Sequence, residues 1–158
     1  MKSLIKKESI KLLLIVPLML ISLTINAQDI SSYEKAKAEI EEEFGMFPEM
    51  FEVFPDHALA GAWENFKMLN SPESKIPPKY RELLQLAVAS QIPCNYCIYY
   101  HTAAAKAHGA TDEEIQEAVA QGAQTRHWSM ILQGNQVDFE EFKDEFNAMM
   151  KHMASKSK

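Results

Sequence analysis

Glycine is scarce in this chain, five residues in 158, which suits helices better than a turn-rich β protein. Cysteine is scarcer still. Two residues allow at most one intramolecular bridge, so the fold does not depend on a framework of disulfides. Basic residues are outnumbered, 16 Lys and Arg against 22 Asp and Glu, for a formal charge of −6. That balance argues against a general nucleic-acid binder, which presents a basic face. No segment alternates apolar and polar residues over a strand's length, and no repeat with a period of roughly 20–50 residues is present. The longest apolar run, Leu12 to Ile25, has 14 residues, short of the roughly 20 that span a bilayer. The rest is ordinary globular composition, 47% hydrophobic and 24% charged, which excludes a collagen-like fibre or a disordered chain.

The apolar run belongs to an address. Lys2, Lys6, Lys7 and Lys11 accompany its start, and Asn26-Ala27-Gln28 follows it. A basic start, a short apolar core and a small residue at the cut describe a secretory signal peptide, residues 1–27, cleaved after Ala27. The competing reading is an uncleaved anchor. Cleavage removes four lysines and Glu8, and leaves residues 28–158, 131 residues with a formal charge of −9. The expected location is periplasmic or secreted, a compartment that permits disulfides.

Residues 28–158 read as a single all-α domain of about six helices. Ser31 and Glu34 form a capping box that opens a helix to about Phe44, where Gly45 can end it. Met46 to Pro55 is a Phe-, Met- and Pro-rich connector. Asp56 is the expected N-cap of the next helix, in which Leu59, Ala62, Trp63, Phe66 and Leu69 recur at helical spacing. Pro77 and Pro78 fit a helix start, followed by an apolar face of Tyr80, Leu83, Leu84, Ala87 and Val88. Pro93 ends that helix. Cys94 opens another to about His108, with Gly109 as its stop. Thr111 and Glu114 form a second capping box, with Ile115, Ala118 and Val119 turned inward and one helix or two continuing to Leu132. Asp138 and Glu141 form a third. Behind it Phe139, Phe142, Phe146, Met149, Met150 and Met153 make a stripe suited to another helix or subunit.

The chemistry lies in Pro93-Cys94-Asn95-Tyr96-Cys97-Ile98-Tyr99-Tyr100-His101. On a helix, positions 94, 97 and 101 share one face. Pro93 places Cys94 at the helix N-terminus, where free N–H groups and the dipole favour a thiolate. A histidine one turn beyond Cys97 can exchange protons with it. Several roles stay open for these residues: a redox dithiol, a purely structural disulfide, small buried hydrophobes, or three zinc ligands completed by Glu82 or His127. His57, His108 and His152 read as surface residues. His127 and Trp128 read as pocket residues or as an ordinary aromatic contact, and Tyr99 and Tyr100 as core or subunit contacts.

From about Pro78 to Gly122 the sequence resembles the AhpD-like alkylhydroperoxidases of the carboxymuconolactone decarboxylase family. The shared pattern is Glu82 twelve residues before Cys94, Cys94-x-x-Cys97-x-x-x-His101, the alanine-rich Thr102-Ala103-Ala104-Ala105, then Gly109-Ala110-Thr111 and Asp112-Glu113-Glu114-Ile115. The resemblance implies an all-α fold that assembles as trimers or their multiples. It implies catalysis by a dithiol, in which Cys97 attacks peroxide, Cys94 resolves the sulfenic acid, and Glu82 and His101 relay protons. One position departs from the pattern. Well-studied members carry a histidine immediately before the second cysteine, and Tyr96 stands there in this chain. Tyrosine, with a pKa around 10, is a poor base near neutral pH but still donates a hydrogen bond.

The expected function is therefore a thiol-dependent peroxidase acting on small hydroperoxides. It needs no cofactor or metal, draws on a thiol or dithiol electron donor, binds no nucleic acid, and forms a homo-oligomer. The alternatives are an exported thiol–disulfide oxidoreductase acting on proteins, and a decarboxylase-like or binding protein on the same scaffold. Tyr96, His127 and Trp128 are the further residues expected at the pocket.

Overall fold

The computed structural model describes residues 32–156, and the segment read as a signal peptide and Ser31 of the first capping box lie outside that range. The described residues form seven α-helices and no strand. They are α1 (residues 32–44), α2 (Glu49–Glu52), α3 (Asp56–Asn70), α4 (Pro78–Gln91), α5 (Asn95–Ala107), α6 (Asp112–Gly134) and α7 (Phe139–Lys156). The all-α reading holds. The addition to the expected six is α2, one turn inside the segment read as a connector. The chain divides after Ser74 into two compact units.

In the first unit, α1 to α3 close around Ala36, Ile40, Phe51, Leu59 and Trp63. The α3 stripe anchors this core through Leu59 and Trp63, while Leu69, the last member of that stripe, stays exposed. The Trp63 ring meets Phe51 and Phe44 edge-on and stacks on Phe66. Its indole N–H donates to Glu39 Oε2 at 2.9 Å, so the one polar group of a buried indole is satisfied. Gly45 stops α1 with a φ of 72°, a conformation open to glycine. Pro55, not Asp56, occupies the N-cap of α3, and Asp56 begins the helix itself.

In the second unit, α4 packs against both α5 and α6. Pro77 caps α4 and Pro78 fills its first position, where a missing N–H costs nothing. The capping box at α6 is complete. Thr111 Oγ1 accepts from the Glu114 backbone, and the Glu114 carboxylate accepts from the Thr111 backbone. The same carboxylate takes a 2.7 Å ion pair from Lys79, tying the first turns of α4 and α6 together. Gly122 allows those helices close approach: a Cβ there would lie 2.9 Å from the Ala87 carbonyl oxygen. Ile115, Ala118 and Val119 are half-buried on the same side of α6, which continues unbroken to Gly134.

The apolar face read on α4 is only partly interior. Leu86 and Ala89 are buried, together with Glu82, whereas Tyr80, Leu84 and Val88 are exposed. α4 buries the side that meets α5 and α6, and the Leu84–Val88 edge stays open.

Candidate active site

Cys94 is the N-cap of α5, in an extended conformation, and its Sγ accepts a hydrogen bond from the Cys97 backbone N–H at 3.3 Å. Pro93 makes this start: it has no N–H to continue α4, and the chain turns into α5 one residue later. Cys94 and Cys97 are joined as a disulfide with Cα atoms 5.3 Å apart. One turn beyond Cys97, His101 has a half-buried side chain, and its Nδ1 lies 2.8 Å from Glu82 Oε2.

Glu82 reaches His101 because it faces inward on α4. It is 5% exposed, the one buried charged residue among those described. Burying a carboxyl group is expensive unless it is hydrogen-bonded, and the imidazole supplies that bond. Against an ionised carboxylate, which only accepts, Nδ1 is the donor of this contact and Nε2 is the nitrogen turned to other partners. Tyr100, packed edge-on against the His101 ring, has its phenol pushed above the ordinary tyrosine range by burial and by the Glu82 charge. It therefore stays protonated near neutral pH.

A cavity of about 310 Å³ opens beside this pair. Leu84, Gln85, Val88, Ala89 and Ile92 line it from α4 and its C-terminal end, and Cys97 and His101 from α5. The uncovered α4 edge is thus a wall of this cavity. Leu84 and Val88 belong to the apolar face read on α4, and the i, i+4, i+8 series Leu84, Val88, Ile92 fits a core stripe and a groove wall alike.

The residues expected at the site divide. Cys94, Cys97, His101 and Glu82 are brought together. Tyr96, 89% exposed, is not among the lining residues. His127 and Trp128 also lie outside the lining and pack on each other edge-to-face, with Trp128 largely exposed. His57, His108 and His152 are exposed. Among the described residues no three His, Cys, Asp or Glu side chains gather as a metal site, and no helix is long and apolar enough to cross a membrane.

Comparison with known proteins bears on this arrangement. A crystal structure titled alkylhydroperoxidase AhpD core, from Rhodospirillum rubrum, matches with a TM-score of 0.60 at 23% identity, covering 74% of this chain and 89% of that one. At that identity the likeness shows a shared fold. An uncharacterized protein of Cupriavidus necator is 30% identical over 63 residues, 40% of this chain. That match spans 56% of the relative's own length. The model of the carboxymuconolactone decarboxylase family matches residues 55–137, over half of the chain and all of the helices that carry the dithiol, the glutamate and the histidine. The chain belongs to the carboxymuconolactone decarboxylase family.

Proposed function

We propose that this protein is an exported, homo-oligomeric thiol peroxidase that reduces organic hydroperoxides with the Cys94–Cys97 dithiol. The observation that carries the reading is the shared cavity: Cys97 and His101 line one apolar pocket, and His101 is held from behind by a buried glutamate. Cys97 is the sulfur a substrate in that pocket meets. Cys94, on the helix cap, is bonded to it, which supports a resolving role.

The cycle starts from the reduced pair. The Cys97 thiolate attacks the terminal peroxide oxygen, an S–O bond forms, and the O–O bond breaks. The departing alkoxide takes a proton and leaves as an alcohol. His101 Nε2 serves as the proton carrier, with Glu82 stabilising the imidazolium. Cys94 then attacks the Cys97 sulfenic acid, the disulfide forms, and water leaves. Two thiols are oxidised and one hydroperoxide is reduced. An external thiol or dithiol restores the pair, and the scheme requires no bound metal or cofactor. The apolar walls Leu84, Val88 and Ile92 favour an alkyl hydroperoxide over hydrogen peroxide by hydrophobic burial of the alkyl part.

The test uses reduced, cleaved protein and one equivalent of cumene hydroperoxide. Thiol titration and mass spectrometry follow the products. Cys97→Ser should consume no peroxide, and Cys94→Ser should turn over once and stop at the sulfenic acid. Both variants consuming peroxide like the parent would refute the dithiol mechanism. A second reading, disulfide exchange with proteins, draws on Tyr96 and Tyr99, both exposed beside the dithiol. A mixed disulfide trapped on Cys94→Ser with a protein partner would favour it.

A further inference from the structure

α7 has no buried residue, although Phe139, Phe142, Phe146, Met149, Met150 and Met153 all lie along it. Each of these side chains is between 37% and 68% exposed. The spacing of Phe139, Phe142, Phe146, Met149 and Met153 is three, four, three, four. That is the a/d seam of a coiled coil, narrower than the face of a helix laid on a globular core. An 18-residue helix whose apolar stripe has no fully buried member is marginal in water. The helix also begins just beyond the region matched by the family model, which ends at residue 137.

The charges on α7 say what covers it. Its first half carries Glu140, Glu141, Asp144 and Glu145 against Lys143. Its second half carries Lys151, His152 and Lys156 with no acid. Lys143 is already paired within its own turn, to Glu140. A helix that is acidic at one end and basic at the other is complementary to itself run backwards. Antiparallel pairing lays acid on base and opposes the helix dipoles; parallel pairing lays acid on acid.

We infer that α7 is a docking helix for the α7 of a second copy of this chain, paired antiparallel about a twofold axis. The a/d register that closes the seam places Phe146 against the partner's Met149 and Phe142 against the partner's Met153. Glu145 then flanks the partner's His152. The contact is isologous, so it joins copies in pairs and gives an even-numbered assembly. It is independent of the redox reading, because no α7 residue lines the cavity.

Two measurements test it on the cleaved full chain. Sedimentation or light scattering should show an even number of copies, and Phe146→Lys should halve the mass. An odd-numbered assembly, a monomer, or an unchanged mass in the variant overturns the proposal. Nitroxide pairs, introduced in a Cys94→Ser/Cys97→Ser background at Glu140→Cys or Asn147→Cys, report direction. Antiparallel pairing gives about 22 Å of axial offset at position 140 and about 2 Å at position 147. The distance at 140 should therefore be clearly the longer. Equal distances mean parallel pairing, and no short distance at 147 means a seam left unused; either result overturns the proposal. Should Phe146→Lys fail to fold, the label distances decide alone.

Discussion

The two units use burial for different ends. Residues 32–74 bury five apolar side chains in one aromatic-rich cluster, with the Trp63 indole satisfied by Glu39. Residues 75–156 bury only Leu86, Ala89 and Ala105 among apolar side chains, and bury Glu82 with them. The first unit is built as a core. The second gives part of its small interior to a carboxyl group, leaves an apolar edge of α4 open at the dithiol, and covers no residue of α6 or α7 fully. A group that weakens packing is retained where it orients a histidine, and the stabilising contacts are concentrated elsewhere.

The contrast is testable first where the effect is largest. Trp63→Ala removes the centre of the aromatic cluster and should cost about 3–5 kcal/mol. Amide hydrogen exchange should quicken across residues 32–70 while residues 78–107 keep their protection. Acceleration in both segments would make them one cooperative unit. Glu82→Gln comes next, with the opposite signature. It keeps the volume and removes the charge behind His101. The rate constant for peroxide consumption should fall on the order of 100-fold, equivalent to about 2.7 kcal/mol. The melting temperature should hold or rise, because a buried charge no longer needs compensation. A fall in stability with the rate unchanged would make Glu82 a structural residue.

The smallest effect is at the α6 cap. Thr111→Ala should cost about 1 kcal/mol, read as a lower urea midpoint. Glu114 is held below the ordinary carboxylate range, first by Lys79 and then by the Thr111 backbone N–H. A lowered folded-state pKa means that its contribution is present above the unfolded carboxylate value and is lost as pH falls through the folded one. The gap between parent and Glu114→Gln should therefore close on acidification below about pH 4. A gap that stays constant with pH would show that the charge is not what matters there.

Much of this was legible in residues alone, and the reasons are local. The stop at Gly45, the Pro77–Pro78 start, the Thr111–Glu114 box and the common face of Cys94, Cys97 and His101 each depend on neighbours within about one turn. α2 was not legible, because four residues between Pro48 and Pro55 show no period. Nor was the cavity wall. Leu84 and Val88 have the spacing of core residues, and only the way α5 and α6 meet α4 decides that this edge stays open. A glutamate on an amphipathic helix is ordinarily solvated, and only the family pattern, in which it stands twelve residues before Cys94, singles out Glu82. Trp128 and Tyr96 illustrate the converse, since a conspicuous aromatic side chain need not face the cavity.

The sulfur that caps α5 is also one of the two joined in the disulfide. In the disulfide this sulfur is a neutral acceptor for the Cys97 N–H; a thiolate in its place would be a charged and stronger one. A reduced, ionised Cys94 would therefore hold the first turn of α5 by a stronger cap, which would link the helix start to the oxidation state. Exchange of the Cys97 amide should be slower in the reduced protein than in the oxidised one, and equal rates would sever that link. On that link, the solvent exchange of a single amide would read the state of the sulfur that starts the helix.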